Sequence, residues 1–517
     1  STSLAVPGSE STQAEEILAE HFGENSEGTF TVVYNFEQAT SEEILEMKRI
    51  VEEAAQSIPT GKVIESRALG GILYAGIGTT LNLKEASHET QALRDALDRL
   101  GLDGAMVTGP PAIQGDFEPI LSSDLTSGAV LAIVIALVIL ILIFGLSWSV
   151  AIPFVTAGAT IAAAISVVFL LSQKFLMVLY IPNVVELIGL GLAIDYSILI
   201  AHRYISEVKK SEQSREDAIV ATMATAGRTV LLSGLTASIG LTTLFIVPVP
   251  FIRSLGAAGL VVPIVSVIAA LTLQPIILYY LGPRGVKPYR IKGIFNSGDE
   301  MSGWWAKIAA IVIAKPWKVL AAGSFVLAVS ASSIAWLEVT PTSLKAIPND
   351  IESAQGLNFV VDRIGPGLIT PTVIVIDYGK AGQAALPENQ QLRTDLALEI
   401  IDDEEVLAAS TDSTPRYVDP TGRYQRIFVM GINEFGDPKS RAFIERLRNT
   451  YIPQSDLADK ATIYVGGAAA QGVDFLKRVY GYFPFLFVAA LAIAYFLLIR
   501  SFRSLVLPLI AVVLDVL

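Results

Sequence analysis

GLGLAIDYSILIAHRY, residues 189–204, sets an aspartate and a tyrosine, Asp195 and Tyr196, in the middle of a run that is otherwise almost wholly aliphatic. The run has the composition of a membrane helix, and an ionised aspartate at the centre of such a helix costs about 2.5 to 3.5 kcal/mol on insertion scales. A carboxylate retained there needs a polar partner or a proton. The rest of the chain supports the membrane setting. Hydrophobic residues make up 52% of the 517 positions, charged residues 17%, and the mean hydropathy is +0.54, whereas soluble domains are about 25% charged.

Apolar runs of roughly 18 or more residues can cross a hydrocarbon core of about 30 Å as helices. Seven complete runs occur, near 127–146, 149–171, 177–201, 229–249, 254–281, 318–337 and 480–499, and an eighth starts at Leu505. The loop 203–228 carries Arg203, Lys209, Lys210, Arg215 and Arg228, and 282–317 carries six more Lys or Arg residues. The bias of positive charge toward the cytoplasm predicts that these loops lie inside and that the large polar blocks face outward. The expected division is an outward α/β domain over 1–124, five membrane helices over 125–282, and a cytoplasmic loop with an interfacial helix over 283–317. A span over 318–337, a second outward α/β domain over 338–478, and a span with the start of the next over 479–517 complete it. In the interfacial helix, Trp304 and Trp305 are expected at headgroup level.

The first polar block reads as β-α-β-β-α-β, a ferredoxin-like order. TFTVVYNF (29–36) alternates as a strand, 41–58 has helical spacing with acids in its first turn, strands are expected near 62–67 and 72–80, a helix over 87–99, and a strand near 104–108. In the second block strands are expected near 371–377 and 424–431 and a helix near 438–450, while 380–423 has no clear period. The blocks also resemble each other. PGSESTQAEEILAEHFG (7–23) lies on PNDIESAQGLNFVVDRIG (348–365), TGPPAIQGDF (108–117) on GGAAAQGVDF (466–475), and SVAIP (149–153) on SLVLP (504–508), at offsets between 341 and 358. Three matches in register predict two repeated halves. The second copy has a span before its block and the first has none, so the chain reads as a segment of a protein with two six-span halves, truncated at both ends.

Several chemistries are disfavoured. The net charge of −13 argues against nucleic acid. No cysteine is present, which removes disulfides, thiolate metal sites and a cysteine nucleophile, and the three histidines are too few and too scattered for a histidine-built metal site. No cofactor is implied. GLG at 189–191 lies inside an apolar helix and reads as close helix packing, not a nucleotide fingerprint. VGGAAAQG (465–472) lacks the Gly-Lys-Ser/Thr of a phosphate loop and reads as an elbow before a span. The acids Asp402, Asp403, Glu404 and Glu405 read as a solvated turn, with calcium as the minor alternative. Asp515 is intramembrane in position, but the repeat sets no acid opposite it.

Two halves of six spans, an outward α/β block after the first span of each half, and GLGLAIDYSILIAHRY in the fourth span resemble the resistance-nodulation-division superfamily, and most of all its MmpL-type branch, for which the Asp195-Tyr196 pair is distinctive. The likeness covers nearly the whole chain. It implies a multi-span α-helical membrane protein with two outward ferredoxin-like porter domains in two pseudo-repeated halves. The implied activity is proton-driven export of lipids or other hydrophobic compounds by a secondary transporter, not an enzyme, in the cytoplasmic membrane. It also implies a serine of the fifth span beside the relay, and Ser233 in GRTVLLSG is the matching position. From the repeat, a second Asp-Tyr pair is expected near position 550.

The relay chemistry follows from the residues as well. A phenol beside the acid can donate a hydrogen bond to the carboxylate and release it on protonation; the plainer reading is that Asp195 bonds a neighbouring helix. His202 lies at i+7 from Asp195 and shares its face, where it either passes a proton onward or is an interfacial residue beside Arg203. Glu186 is nine residues before Asp195, and nine steps of about 100° put it on the opposite side. It either lines a substrate entrance near the outer leaflet or meets interfacial water. Ser233 is equally readable as a small residue that lets helices approach. The expected partners are a lipid or hydrophobic small molecule and the membrane, with homo-oligomers and accessory proteins left open. Multidrug efflux, and a lipid-sensing or scaffold protein that transports nothing, are the alternative functions.

Overall fold

The computed structural model describes residues 5–36, 39–175, 177–178, 181–210, 214–285, 302–333 and 347–516. The chain divides into two compact units, Ser3–Asp124 with Thr340–Tyr480, and Leu125–Val339 with Gly481–Leu517. In chain order the first block holds α1 (Glu10–Phe22), β1 (Phe30–Asn35), α2 (Ser41–Ala55), β2 (Lys62–Leu69), β3 (Ile72–Gly78), α3 (Leu83–His88), α4 (Thr90–Arg99) and β4 (Met106–Thr108). Next come α5 (Pro110–Phe144), α6 (Ile152–Ser172), α7 (Ile181–Lys210), α8 (Arg215–Thr222), a π turn leading into α9 (Arg228–Thr242), α10 (Pro250–Gly285), α11 (Ser302–Ala314) and α12 (Pro316–Ser332). The second block holds α13 (Glu352–Ile364), β5 (Thr372–Asp377), α14 (Pro387–Ile401), β6 (Val406–Ser410), β7 (Tyr424–Gly431), α15 (Pro438–Arg446), α16 (Ile452–Gln454) and β8 (Thr462–Gly466), followed by α17 (Ala468–Phe502) and α18 (Val506–Val516).

Both sheets are four-stranded and antiparallel, ordered β2-β3-β1-β4 and β6-β7-β5-β8. That is the ferredoxin-like order twice over. Local chemistry starts the elements. Thr40 and Glu43 form a capping box on α2, each side chain bonding the other's backbone N–H. The stretch 380–423, unreadable from its period, contains α14 and β6. α14 turns Asn389 and Arg393 as well as Leu396 and Ile400 inward, so its apolar spacing is broken.

Each sheet is covered on one face by helices of its own block and on the other by the first helix of the opposite block. Phe30 and Val32 of β1 pack with Val51, Leu93 and Leu97 of α2 and α4. Val33, Ile72 and Tyr74 point to the other face and pack with Val360 of α13. In the second sheet Ile374 and Ile376 pack with Leu396 and Phe443 of α14 and α15, while Val373 and Val375 pack with Ala14 and Leu18 of α1. Small residues permit the close crossings: Ala14 lies against Gly466, where an added Cβ would be 2.8 Å from its own, and Gly356 lies against Met106. A side chain such as Val360, fully buried in this exchange, contributes about 1.5 to 3 kcal/mol.

Gly109 and Gly467 end β4 and β8 with φ of 96° and 98°. A Cβ there would stand 2.7 Å from the Thr29 carbonyl oxygen and 2.6 Å from that of Pro371. The left-handed backbone turns the chain directly into α5 and α17, which therefore begin well before the apolar runs at 127 and 480, inside the polar blocks. Gly467→Ala is expected to destabilise the sheet-containing unit by roughly 1 to 3 kcal/mol, read as a lowered melting temperature of the purified protein.

Six helices among the described residues are long and apolar enough to cross a membrane: Pro110–Phe144, Trp148–Ser172, Ile181–Val208, Arg215–Ile246, Pro250–Gly282 and Ala468–Arg500. A seventh arises if Lys307–Ala314 and Pro316–Ser332, bent by 99°, count as one span. The part of the 318–337 run after Ser333, and the side chains of Trp304, Trp305 and Asp515, lie outside the described residues. Apolar side chains such as Leu131 and Leu142 of α5 and Val488 and Phe496 of α17 are exposed, a surface that hydrocarbon covers and water does not. Inward, α6 turns Thr156, Thr160, Ala164 and Val168, four residues apart, into the helical core. Gly189 of α7 faces it, where an added Cβ would stand 3.2 Å from Ile161 Cγ1.

Candidate functional site

α7 carries Asp195 and Tyr196 on different faces, as adjacent residues on a helix must be. Asp195 is exposed and Tyr196 is fully buried. Around the Tyr196 phenol, α9 contributes Gly234, whose Cα leaves the space: a Cβ there would lie 3.3 Å from Tyr196 Oη and 2.1 Å from Val267 Cγ2 of α10. Tyr196 Oη makes no hydrogen bond of standard geometry among the described residues, and Ser233 is a polar neighbour of the phenol. The structure thus sets Ser233 beside the Tyr196 phenol, with Asp195 next to Tyr196 along α7. His202 is exposed, like Asp195 and Leu199, on the next turns of α7, and its neighbour Arg203 pairs with Glu207 at 2.6 Å. Glu186 is also exposed but stands about two and a half turns before Asp195, on the opposite side of the helix, and does not join the group. A carboxylate displayed on a membrane helix has to face water or another polar surface, since lipid provides neither.

Behind this group lies a buried polar layer that the sequence reading passed over. Gln274 of α10 is fully buried, and its Nε2 donates to the Ser197 carbonyl oxygen at 2.8 Å. The Thr156 hydroxyl of α6 stands 3.3 Å from Ser197 Oγ. Gln274 Oε1, Thr160 Oγ1 and Ser266 Oγ are buried without a hydrogen-bond partner among the described residues. A signal was available: Gln274 is a lone amide inside the apolar run 254–281, as conspicuous by composition as Asp195.

The sheet-containing unit holds two charged clasps with the same wiring. Arg94 bridges Asp116 at 2.8 Å and Glu352 at 2.9 Å, the Ser353 N–H donates to Asp116 at 3.1 Å, and the Val107 N–H donates to Glu352 at 3.2 Å. Arg448 bridges Asp474 at 2.6 Å and Glu10 at 2.9 Å, the Ser11 N–H donates to Asp474 at 3.1 Å, and the Val465 N–H donates to Glu10 at 2.7 Å. Each clasp ties the start of α5 or α17 to the start of the helix received from the other block. Burial by itself would push Asp116 and Asp474 up, but their arginine and serine partners outweigh it and hold both below the usual aspartate range. For Glu10 burial wins over Arg448, and its carboxyl is raised.

The sign of the pH effect follows. A carboxyl whose folded pKa is depressed stabilises the fold above its unfolded value, about 3.9 for aspartate, and loses that contribution as the pH falls through the folded pKa. Glu10 acts oppositely, binding its proton more tightly when folded. The Arg94 clasp is therefore expected to hold at pH 5 to 7 and to fail progressively below about pH 4, seen as faster amide exchange in α13, while the raised Glu10 partly offsets Asp474 and makes the Arg448 clasp the less acid-sensitive of the two.

The acid run 402–405 departs from the expected solvated turn. Asp402 and Glu404 are exposed, but Asp403 and Glu405 are buried. Arg446 bonds Asp403 in a fork at 2.8 and 2.7 Å, and Tyr451 donates to it at 3.0 Å. Glu405 accepts from the Asn433 N–H, its side-chain amide and the Ser440 hydroxyl. As the chain passes from α14 into β6 alternate residues face inward, so two of the four acids become anchors for α15. Among the described residues no group of three acids or histidines is placed to hold a metal ion, so calcium has no support there.

Comparison with known proteins agrees with these features. Residues 69–319 match the model of the MMPL family. The chain is 28% identical over 371 residues to the heme uptake protein MmpL11 of Mycobacterium tuberculosis, covering 72% of this chain and 38% of that protein. It is 28% identical over 387 residues to the mycolic acid-containing lipids exporter MmpL11 of Mycolicibacterium smegmatis, covering 74% and 40%. With the trehalose monomycolate exporter MmpL3 of Mycobacterium tuberculosis it shares 25% identity over 468 residues, covering 83% and 47%. The matched stretches thus span less than half the length of these relatives. The match runs from β3 through the helices α5 to α11 and includes Asp195, so apolar helices of membrane length and this stretch of sequence are what the chain shares with the MMPL family.

Proposed function

We propose that the protein is part of a secondary transporter that uses the proton gradient to export lipids or other amphiphilic compounds across the cytoplasmic membrane. The observation that carries this reading is the Asp195–Tyr196–Ser233 group at membrane depth. A carboxylate, a phenol and a hydroxyl there can take up, share and release a proton, and nothing in helix packing requires all three. The driving force is adequate, at about 1.4 kcal/mol for each pH unit and roughly 2.3 kcal/mol for each 100 mV per charge moved. His202 passes the proton toward the cytoplasmic end, and Glu186 lines the outer approach to the bundle.

The sheet-containing unit faces outward and acts as the porter, capturing the amphiphile released from the spans. The outward placement rests on the Arg and Lys residues of 203–228 and 282–317. The two halves are repeats of one ancestral unit. The same strand order in both sheets, the reciprocal exchange of α1 and α13, and the matching clasps at offsets of 342 for Glu10 and Glu352 and 358 for Asp116 and Asp474 support that reading. Of the relatives, two are named as lipid exporters and one as a heme uptake protein, so both cargo and direction need a direct test. The protein in proteoliposomes, loaded in turn with a fluorescent glycolipid and with heme, is expected to move the lipid against its gradient only when a proton gradient is imposed. Gradient-independent movement, or movement of heme alone, would overturn the proposal.

A further inference from the structure

We propose that Gln274 is a positioning residue for the Asp195–Tyr196 pair, holding α7 from behind at the Ser197 carbonyl so that the carboxylate and the phenol keep their relation to Ser233. This rests on the proton-relay reading of that pair.

Ser197 follows Asp195 by two residues, which is about 200° around the helix. Gln274 therefore grips the back of the turn whose front carries the acid. The Ser197 carbonyl has two lone pairs, so it accepts the amide at 2.8 Å without surrendering its place in the helix ladder. Thr156 meets the hydroxyl of the same residue from α6, and the turn is held between two neighbouring helices at one level. The grip controls rotation. Side-chain ends lie roughly 5 to 6 Å from a helix axis, so a twist of about 20° moves them by about 2 Å, the difference between contact and separation for Tyr196 and Ser233. Packing does not supply the same restraint, because an apolar side chain in place of Gln274 slides on α7 where a hydrogen bond fixes one atom against another.

The amide has no other evident employment. It is fully buried, its Oε1 has no partner among the described residues, and a half-satisfied amide is a costly occupant of a membrane core. The groups that face Asp195 from its surroundings are few. α7 itself carries Tyr196, about two turns on His202 and Arg203, and more than three turns on Glu207; α9 carries Ser233 and, at its start, Arg228. α6 carries no charged residue, α8 carries Arg215, Glu216 and Asp217, and on α10 Arg253 lies almost six turns before Gln274 while Tyr279 and Tyr280 follow it by about one and a half turns.

The test reads the Asp195 proton directly. Infrared difference spectra of the intact protein in lipid, titrated with pH, contain a carboxyl band assigned to Asp195 by its loss in Asp195→Asn. Gln274→Leu keeps the volume and removes the donor; it is expected to move the midpoint of that band by at least about half a pH unit, a roughly threefold change in proton affinity, with an unchanged far-ultraviolet spectrum. Gln274→Glu, neutral at membrane depth and still able to donate to the carbonyl, is expected to restore the wild-type midpoint. An unmoved midpoint in Gln274→Leu, or a shift that Gln274→Glu does not reverse, overturns the assignment while leaving the relay intact. A wild-type spectrum with no titrating Asp195 band overturns the relay reading itself, and this assignment with it.

Discussion

Asp195→Asn is expected to reduce proton-coupled flux to passive background while leaving the fold intact. Asparagine has the shape and most of the hydrogen-bonding capacity of aspartate but cannot cycle a proton. Asp195 is exposed on α7, so the change opens no cavity and strands no buried charge, and stability should move by no more than about 0.5 kcal/mol. The measurement is cargo flux in proteoliposomes under an imposed proton gradient, paired with a melting curve. Wild-type flux in the variant would mean that the carboxylate only joins helices. Tyr196→Phe separates the two roles of that residue. Its hydroxyl is buried without a standard hydrogen bond, so removing it should cost the fold almost nothing, while flux falls part of the way toward the Asp195→Asn level.

Arg94→Met is expected to have the largest effect on stability. Breaking a buried ion pair by removing one partner costs about 3 to 5 kcal/mol, because the remaining charge stays buried and unpaired. The Arg94 and Asp116 side chains are 12% and 15% exposed, which favours the low end, about 3 kcal/mol, or roughly 100-fold in the equilibrium for local opening. The opening should be local to the exchanged helix. Hydrogen exchange should accelerate in α13 and β4, while the opposite face of the same sheet, packed on α2 and α4, stays protected. Arg448→Met should produce the same signature in α1 and β8, where the wiring is the same. Arg94→Lys should recover only part of the loss, since an ammonium cannot fork onto Asp116 and reach Glu352 in the plane of a guanidinium. Uniform acceleration across the whole sheet would show that the unit opens as one body and that the clasp is not its weakest seam.

Much of this molecule could be read in advance, for identifiable reasons. Membrane spans announce themselves by composition, because lipid accepts only satisfied backbone and apolar side chains over a fixed length. Strands such as 30–35 and helices such as α2 declare their period and caps locally. The proposed relay group is legible because a carboxylate inside an apolar run is expensive and thus conspicuous. Gln274 was missed although the same logic covers it, since an uncharged amide attracts less notice than an acid. Asp403 and Glu405 were misread for the opposite reason: four acids in a row look solvated, and which two turn inward depends on the exact residue at which α14 gives way to β6.

The sequence by itself determined the membrane class, the two α/β blocks, and the place of the Asp195-Tyr196 pair inside an apolar run of membrane length, all of which depend on neighbours within a few turns. Tertiary structure alone decided what covers each face. TFTVVYNF alternates as though one side of its strand met solvent, yet Val33 is as buried as Val32, because α13 arrives from more than 300 residues away to lie on it. Periodicity records that a face is apolar and is silent about which segment will bury it. The same limit hid the grip of Gln274 on Ser197 and the clasps of Arg94 and Arg448, contacts made by side chains that meet only after distant helices have packed.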